Sequence, residues 1–308
     1  MRPKTVFHTK IGRWSGLLEK RGITMTNDYG NLELHQVLLS AMKDIDKICR
    51  EHGLKYFLHA GTLLGAFNHK GFIPWDDDVD ISLLRPDYEK LCEILQREYP
   101  DRYFLQNFET DPNYRNNRAV LRVLGTRVIH HHEDETNTHR EIGVDLVPLD
   151  AAPDMKIMRK IQQAGIWVFD AAAQIKMGEI IPHHPVMKCI WLLSKMDRRR
   201  LGRIIDWFST LFNGRETKYV GLLTYTGKNP YTGRSGYEND LMSRAWYQEP
   251  VMVEFEDTQF MTISEPVADL VHRYGEKWHE PYPEEKRITK HDVKSYEISP
   301  EVRERLGI

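Results

Sequence analysis

The sequence predicts an α+β fold in which helices and strands alternate around one sheet in the first half of the chain. Two observations predict it. Apolar residues from Leu34 to Ile48 recur at helical spacing, and short strand-like runs separated by turn residues follow them. From Met155 to Phe212 the apolar spacing is again helical, so we expect a helical region after the sheet.

Local sequence signals predict where the helices and strands of the first half begin and end. Asp28 or Asn31 can cap the first helix, and Gly53 can end it. Gly61 is expected to begin a tight turn that leads into a short helix, and Pro86 suits the first position of the next helix. Strands are predicted at residues 54–59, 79–84, 103–107, 118–130 and 142–149, and a further helix at residues 266–274.

Composition excludes several classes of protein. The chain has 308 residues, of which 41% are hydrophobic, which is enough for one large domain or two smaller ones with a substantial core. The net charge of -2 shows no overall bias toward nucleic acid or anionic membranes. The three cysteines are widely spaced and match no disulfide or metal-binding pattern. The sequence shows neither a signal peptide nor an apolar run long enough to span a membrane. We therefore expect a cytoplasmic protein.

Four segments can be distinguished along the chain. Residues 1–26 lack periodicity and are expected to form an N-terminal extension. Residues 27–153 carry the alternating elements and form the predicted catalytic core. Residues 154–215 form the helical region, and residues 216–308 mix short strands, loops and a helix that we expect to pack on the core.

The most informative stretch is the acidic run Trp75-Asp76-Asp77-Asp78-Val79-Asp80-Ile81. On a strand, the carboxylates of Asp78 and Asp80 are two positions apart and project from the same face. Like charges held together repel each other, and a divalent cation relieves that repulsion. Oxygen-only ligands favour a hard ion such as Mg²⁺ or Mn²⁺, which can bridge phosphate oxygens during group transfer. A solvated acidic turn is the alternative interpretation.

The residues before the acidic run strengthen the metal hypothesis. Gly61 and Thr62 fall at a predicted strand-to-helix junction, where backbone N–H groups and a hydroxyl can be presented to a phosphate. A Gly-Thr turn alone is weak support. Followed in order by an Asp-apolar-Asp strand, it favours a metal-dependent enzyme that transfers a phosphorus-bearing group.

Two ordered blocks of the chain carry a recognisable signature. The first is Gly61-Thr62-Leu63-Leu64-Gly65-Ala66 with His69-Lys70-Gly71-Phe72-Ile73-Pro74-Trp75-Asp76-Asp77-Asp78-Val79-Asp80-Ile81, and the second is Gly143-Val144-Asp145-Leu146-Val147-Pro148-Leu149-Asp150. Together they resemble the signature of the LicD family, which is part of the DNA polymerase β-like nucleotidyltransferase superfamily. Asn68 departs from the basic residue that family members often carry there.

The resemblance implies a fold and an activity. The implied fold is a nucleotidyltransferase-like mixed β-sheet core with flanking helices, to which the helical region is added. The implied reaction is metal-dependent transfer of phosphocholine, or of a related phospho-alcohol, from a CDP-linked donor such as CDP-choline. The acceptor is a sugar hydroxyl of a cell-surface glycan, and CMP is released. Mg²⁺, or Mn²⁺, is the implied cofactor.

The resemblance also assigns candidate residues. The superfamily is known for a third carboxylate on a neighbouring strand, and Asp145 is the best match. Asp78, Asp80 and Asp145 are therefore the candidate catalytic and metal-binding residues. Asp150 is expected only to cap a helix or to lie in a turn. Candidate donor and phosphate contacts are Gly61, Thr62, Lys70, Arg122 and Gln106.

The implied partners are a CDP-alcohol and a glycan acceptor, with no nucleic acid. A lipid-linked acceptor would bring the protein into peripheral contact with the inner face of a membrane. Two alternatives are a nucleotidyltransferase that uses an NTP and releases pyrophosphate, and a non-catalytic scaffold that binds a glycan or nucleotide.

A basic cluster in the helical region has two interpretations. Arg198-Arg199-Arg200 and Arg203 follow the apolar segment Ile190-Trp191-Leu192-Leu193. These residues could meet acidic lipid. The favoured interpretation is the charged face of a helix that packs on the core.

Overall fold

A computed structural model describes residues 29–131, 139–224, 233, 236–287 and 293–308 of the chain. These residues contain nine α-helices and eleven strands, so the α+β class is confirmed. The helices are α1 (Leu32–His52), α2 (Ala60–His69), α3 (Arg85–Glu98), α4 (Lys156–Lys176), α5 (Pro185–Leu193), α6 (Arg198–Thr210), α7 (Gly236–Asn239), α8 (Pro266–Tyr274) and α9 (Pro300–Leu306). The strands are β1 (Phe57–Leu58), β2 (Asp80–Leu84), β3 (Tyr103–Gln106), β4 (Ala119–Val123), β5 (Thr126–His130), β6 (Gly143–Ala152), β7 (Tyr219–Gly221), β8 (Met242–Ser243), β9 (Val251–Phe255), β10 (Thr258–Thr262) and β11 (Val293–Ile298).

The central sheet is mixed. Its strand order is β1-β2-β6-β4-β3, and β7 and β8 continue the sheet beside the second half of β6. β2 and β6 run parallel to each other, whereas the other described pairs in this sheet are antiparallel. With ten residues, β6 is long enough to pair with β2 and β4 through its first half and with β7 through its second half. The starts of β2 and β6 therefore lie next to each other.

One face of the sheet packs against α1 and α3. Strand residues such as Ile81, Leu121 and Leu146 point into this core, and α1 adds an apolar stripe at spacings of three and four residues. α1 ends at Gly53, whose φ of 66° suits a glycine. The same core takes in Phe260 and other apolar residues of the C-terminal region. That region is therefore part of the body that carries the sheet.

The opposite face of the sheet is apolar only along part of its length. Val147 of β6 packs there with Phe57, Tyr247 and their neighbours in a second apolar cluster. At the starts of β2 and β6, the same face carries the side chains of Asp80 and Asp145 instead. This face is therefore polar near the starts of the two strands and apolar further along them. The candidate site lies on the polar part.

The helical region packs near the end of β6 through a third apolar cluster, in which Ile166 of α4 meets Ile205 of α6. α6 begins with Arg198, which is buried and donates hydrogen bonds to the carbonyl oxygens of Tyr114 and Arg115. Arg198 therefore fixes the loop that leads from β3 into β4. None of the described helices combines the length and apolar character that crossing a membrane requires.

Several predicted elements are confirmed and others differ. α1, α3 and α8 lie where the sequence predicts them. The predicted strand at residues 54–59 is only the two residues of β1. The predicted strand at residues 118–130 is two strands, because the chain turns at Gly125 with a φ of 81° and β5 pairs with β11 outside the main sheet. Asn31 precedes α1, but its amide donates to the carbonyl of Asp76 at 3.2 Å and does not cap the helix. The extension at residues 1–26 and Asp28 lie outside the described residues.

Asp150 belongs to a buried ion pair, so the expectation of a simple cap or turn is wrong. Nε of Arg85 donates to Oδ1 of Asp150 at 2.8 Å, and Nη2 donates to Oδ2 at 2.5 Å. The two side chains are only 7% and 2% exposed. Asn213 donates a further hydrogen bond to the same carboxylate at 2.8 Å. The pair links the start of α3 to the second half of β6.

Replacing Arg85 by Met should lower the free energy of unfolding by about 3–5 kcal/mol, because the buried carboxylate of Asp150 loses its partner. Urea unfolding followed by circular dichroism measures this loss. The matched control is Lys43→Met, which breaks an exposed pair with Asp257 and should cost less than about 1 kcal/mol. Equal, small losses in both variants would contradict a structural role for the buried pair.

Candidate active site

Two carboxylates lie side by side at the starts of adjacent parallel strands. Asp80 is the first residue of β2 and pairs in register with Asp145 of β6. Paired residues of neighbouring strands have their side chains on the same face of a sheet, so the two carboxylates share one surface. Burial, and then repulsion from Asp145, raise the pKa of Asp80 to about 7. The two groups therefore form a mutually repelling acidic pair.

Asp78 lies before β2 and not on it. The two-residue alternation of a strand therefore does not by itself place the Asp78 carboxylate beside that of Asp80, and their joint projection stays a prediction. The negative charge of Asp78 nevertheless contributes to the raised pKa of Arg118, as do those of Asp145 and Asp80. Asp78 is thus close to the pair, but the strand partner of Asp80 is Asp145.

Arg118 is the cation that balances the acidic pair. Its Nη2 lies 2.5 Å from Oδ2 of Asp145. Burial alone would lower the pKa of the guanidinium, but the charges of Asp145 and then Asp80 raise it above its ordinary value. The side chain of Arg118 is 33% exposed, so an anionic ligand can reach it. Arg118 ends the loop that Arg198 fixes, so its position is set by the helical region as well as by the sheet.

The start of β2 is fastened to the start of α2 by two hydrogen bonds. The amide of His59 donates to the carbonyl oxygen of Asp80 at 3.1 Å, and the amide of Asp80 donates to the hydroxyl oxygen of Thr62 at 2.9 Å. Ala60 opens α2 with a φ of 43°, a left-handed conformation that is strained for a non-glycine residue. The first amides of a helix lack intrahelical partners and can meet an anion. The Gly-Thr turn and the acidic strand are therefore held together in space.

Gly61 allows the acidic loop to approach the start of α2 closely. A Cβ atom at this position would lie 3.3 Å from Oδ2 of Asp76. A side chain there would crowd the carboxylate, which gives a physical reason for glycine at residue 61. The predicted contact of Gly61 and Thr62 with a phosphate stays a prediction.

A second, buried cation also acts on the site. Arg273 of α8 forms ion pairs with Asp240 and Asp269. Burial, and then the positive charge of Arg273, hold the pKa of His59 well below its ordinary value. The charge of Arg273 also opposes the rise in the pKa of Asp80. Arg273 therefore adds positive charge near the pair, while His59 stays neutral.

Arg122 and Gln106 belong to one hydrogen-bonded network. Nε of Arg122 donates to Oε1 of Gln106 at 2.8 Å, and Nε2 of Gln106 donates to Asp111 at 2.8 Å. Burial lowers the pKa of Arg122, and the charges of Tyr114 and Asp145 act in the opposite direction. Arg122 is thus near the acidic pair. Gln106 is 0% exposed and its amide is engaged at both ends, so the predicted direct contact with a donor is wrong. It positions Arg122.

The structure does not bring Lys70 to the acidic pair. Lys70 follows the last turn of α2, whereas Gly61 and Thr62 lie in its first turn, about 13 Å away along the helix axis. The ammonium of Lys70 lies 3.4 Å from Glu254, and its side chain is 74% exposed. Lys70 is therefore not part of the acidic pair's surroundings, and its contact with the donor phosphates stays a prediction.

Asp80 and Asp145 are the residues that could hold a metal ion. No three His, Cys, Asp or Glu side chains in the described part of the chain are arranged to hold one, so the three-carboxylate set with Asp78 is not assembled. A pair can suffice for Mg²⁺, which usually keeps several waters and takes one or two carboxylates together with substrate phosphates. A divalent cation would also relieve the repulsion that raises the pKa of Asp80. The oxygen donor set therefore fits a hard divalent cation.

Three residues of the site are absent from the candidates chosen on sequence: Arg118, His59 and Arg273. Arg118 could have been found, because a strand that includes Arg118 and Arg122 places both side chains on one face. His59 and Arg273 belong to segments that are more than two hundred residues apart, and no local pattern links them. Tertiary packing brings them together.

Comparison with known proteins confirms the resemblance to the LicD family. Residues 53–162, which include Asp80 and Asp145, match the family model described as LicD/FKTN/FKRP, nucleotidyltransferase domain. The chain is similar to the lipopolysaccharide cholinephosphotransferase LicD of Haemophilus influenzae, with 24% identity over 273 residues that cover 86% of this chain and 97% of that protein. An uncharacterised protein of Rickettsia prowazekii is 43% identical over 58 residues, which are 19% of this chain and 22% of the relative.

Replacing Thr62 by Val keeps the shape of the side chain but removes the oxygen that accepts from the Asp80 amide. The free energy of unfolding should fall by about 1–3 kcal/mol, because a partly buried amide loses its partner. Thr62→Ser keeps the hydroxyl and should lose markedly less. Urea unfolding of the two variants measures the difference. Identical stabilities would mean that this hydrogen bond does not fix the start of β2.

Proposed function

We propose that the protein transfers phosphocholine, or a related phospho-alcohol, from a CDP-linked donor to a sugar hydroxyl of a cell-surface glycan, and the match of residues 53–162 to the LicD/FKTN/FKRP nucleotidyltransferase-domain model supports this. CMP is the proposed leaving product. The observation that carries the proposal is the Asp80–Asp145 pair, set side by side on parallel strands next to Arg118. The Haemophilus relative is named a lipopolysaccharide cholinephosphotransferase, which supports choline as the alcohol and a glycan as the acceptor.

The proposal includes a nucleotidyltransferase-like fold for the mixed sheet. Its support is the arrangement of β2 and β6, which lie next to each other in parallel and each present a carboxylate near the start of the strand. The short strand β1 leads directly into α2, whose first turn is bonded to Asp80. A helix start, an acidic strand and a second acidic strand thus meet at one point of the sheet.

The chain would bind the diphosphate of the donor through charge. A hard divalent cation, Mg²⁺ or Mn²⁺, held by Asp80 and Asp145 would neutralise negative charge on the reacting phosphates. Arg118 is partly exposed beside Asp145 and can donate charge-assisted hydrogen bonds to phosphate oxygens. Arg122 adds a second guanidinium in the same neighbourhood. The first turn of α2, at Gly61 and Thr62, is the proposed contact for a donor phosphate, through the start of the helix and the Thr62 hydroxyl, since the Thr62 amide donates to the carbonyl oxygen of His59 at 3.0 Å.

The proposed reaction is a displacement at phosphorus. The oxygen of the sugar hydroxyl forms a bond to the phosphorus that carries the alcohol, and the bond from that phosphorus to the oxygen shared with CMP breaks. CMP leaves with the bonding electron pair, and the hydroxyl proton passes to Asp145 or to water. The protein accelerates such a step mainly by holding the reactants in line and by balancing charge.

An aromatic cluster beside the site supports a donor that carries a quaternary ammonium group. Trp75 directly precedes Asp76, whose carboxylate approaches the first turn of α2. The ring of Trp75 packs with those of Tyr29 and Tyr282 at centroid distances of 5.7 Å and 6.1 Å. The guanidinium of Arg287 lies 5.2 Å from the centre of the Trp75 ring. These rings can bind the quaternary ammonium group of choline, which would have to displace the Arg287 guanidinium from the Trp75 ring.

The proposed acceptor sets where the protein works. A lipid-linked glycan would hold the enzyme at the inner face of a membrane, in peripheral contact with it. We propose no nucleic acid partner, because the chain as a whole carries a net charge of -2.

The purified protein, incubated with CDP-choline, a glycan acceptor and Mg²⁺, should release CMP, which chromatography detects. Parallel reactions with CDP-ethanolamine and CDP-ribitol establish which alcohol is carried, and CTP tests for pyrophosphate release by a nucleotidyltransferase. Asp80→Asn and Asp145→Asn should each lower kcat about a hundredfold or more, because charge balance in the transition state is lost. Asp257→Asn removes an exposed carboxylate paired with Lys43 and should leave kcat unchanged. Near-normal turnover by Asp80→Asn would reject the assignment.

Metal binding and donor binding should respond differently to two substitutions. Calorimetric titration with Mg²⁺ should show binding that Asp80→Asn weakens at least tenfold, because one of two carboxylate ligands is lost. Arg118→Gln should not weaken Mg²⁺ binding and should tighten it, because Arg118 competes with the cation for Asp145, and it should raise the KM for the donor about tenfold. A donor KM that Arg118→Gln does not change would remove Arg118 from the phosphate site.

A further inference from the structure

The helical region exposes an unusual amount of apolar surface. Ten of the twelve exposed large apolar side chains in the described residues lie between residues 155 and 211. Three of them are tryptophans, Trp167, Trp191 and Trp207. Scattered exposed apolar residues are normal on a protein surface, but a concentration in one region indicates an interaction site.

Helical spacing and packing place part of this surface on one side of α4 and α6. Ile157 and Ile161 lie on the side of α4 opposite Ile166, which is buried, and the exposed Trp167 lies about a quarter turn from both Ile157 and Ile166. Trp207 of α6 lies on the side opposite Ile205, which is buried in the same cluster as Ile166. The two helices therefore turn their apolar, exposed sides away from the same core.

The two helices contact each other beside Trp207. The ring of Phe208 lies against Gly165 of α4, where a Cβ atom would come within 2.4 Å of it. The Trp207 ring packs edge-on against Phe208 with centroids 4.8 Å apart. Gln162 of α4 donates to the carbonyl of Phe208 at 3.0 Å. Trp207 is thus next to the outer side of α4, and we call the combined surface of Ile157, Ile161, Trp167 and Trp207 the outer helical face.

The helical region that carries the outer helical face has an excess of positive charge. Residues 155–212 contain ten Lys and Arg but four Asp and Glu, whereas the whole chain has a net charge of -2. Arg198 is buried and Arg203 pairs with Glu109, so the favoured sequence interpretation holds for these two. Arg199 and Arg200 are exposed at the start of α6. A face that combines tryptophans with basic residues suits the boundary of an anionic bilayer.

A second copy of the chain is a poorer occupant of the outer helical face. A two-fold symmetric interface brings the same surface of both subunits together, so two regions with an excess of positive charge would face each other. Negatively charged lipid headgroups have the opposite sign and also accept tryptophan rings at the depth of the interface. Charge therefore favours lipid over self-association.

We propose that the outer helical face docks the protein on the surface of an anionic membrane, with its apolar side chains at the headgroup boundary and Arg199 and Arg200 near the lipid phosphates. The inference deepens the proposed function, because it names a surface that would bring the enzyme to a lipid-linked acceptor. The membrane contact is inferred only from the apolar and basic side chains of this surface. The experiment that tests it needs neither the CDP-linked donor nor the glycan acceptor.

Flotation with lipid vesicles tests the proposal. The full chain should float with vesicles that mix phosphatidylglycerol into phosphatidylcholine, should not float with phosphatidylcholine alone, and should be released by added salt. Trp167→Ser with Trp207→Ser should weaken binding to the anionic vesicles about tenfold or more, because two interfacial anchors are lost. Arg199→Glu with Arg200→Glu should weaken it by at least as much, because each basic residue near such a surface contributes on the order of fivefold.

The matched control is Leu32→Ser with Met252→Ser, which removes the two exposed large apolar side chains outside the helical region. This variant should bind vesicles like the unchanged protein. Equal binding by the control and the tryptophan variant would overturn the proposal, as would equal binding to neutral vesicles or no binding at all. A dimer seen by sedimentation and abolished in the tryptophan variant would assign the face to self-association instead. A failure of vesicle binding with intact CMP release would leave the proposed reaction standing.

Discussion

The structure of the site depends on the repulsion between two carboxylates at paired positions of parallel strands. The register of β2 and β6 leaves Asp80 and Asp145 side by side on one face, and burial strengthens their interaction, as the raised pKa of Asp80 reflects. Positive charge must therefore be supplied locally. Arg118 supplies it directly, and its own position is set by the loop that Arg198 holds in place. The helical region thus contributes to the site although its helices carry none of the candidate ligands.

The rest of the fold fixes the two strands against each other at both ends. At the start of β2, the hydrogen bonds from His59 and to Thr62 fasten the strand to α2. At the other end, the buried pair between Arg85 and Asp150 ties α3 to β6. A strained backbone at Ala60 lies at the same junction as the acidic pair. Strain of this kind persists where the surrounding contacts determine the conformation, and such positions are common at functional sites.

The elements with strong local signals could be predicted correctly from the sequence. The apolar spacing and terminal glycine of α1, the proline at the start of α3 and the helical spacing between residues 155 and 212 all predict what is observed. The turn at Gly125 was harder to foresee, because only the pairing of β5 with β11 shows that the chain leaves the sheet there. Ordered motifs identified Asp80 and Asp145 as candidates, but the partner of each depended on strand register. The ion pairs of Lys70 and Asp150 depend on residues far along the chain, so no local pattern could assign them.

Anomalous diffraction from crystals soaked in Mn²⁺ and CDP-choline would test most directly whether the acidic pair is a metal site. An anomalous peak between the carboxylates of Asp80 and Asp145, within bonding distance of both and of the donor phosphates, is the predicted result. Donor bound elsewhere on the protein, or manganese at other carboxylates while this pair keeps only Arg118 as its partner, would contradict it.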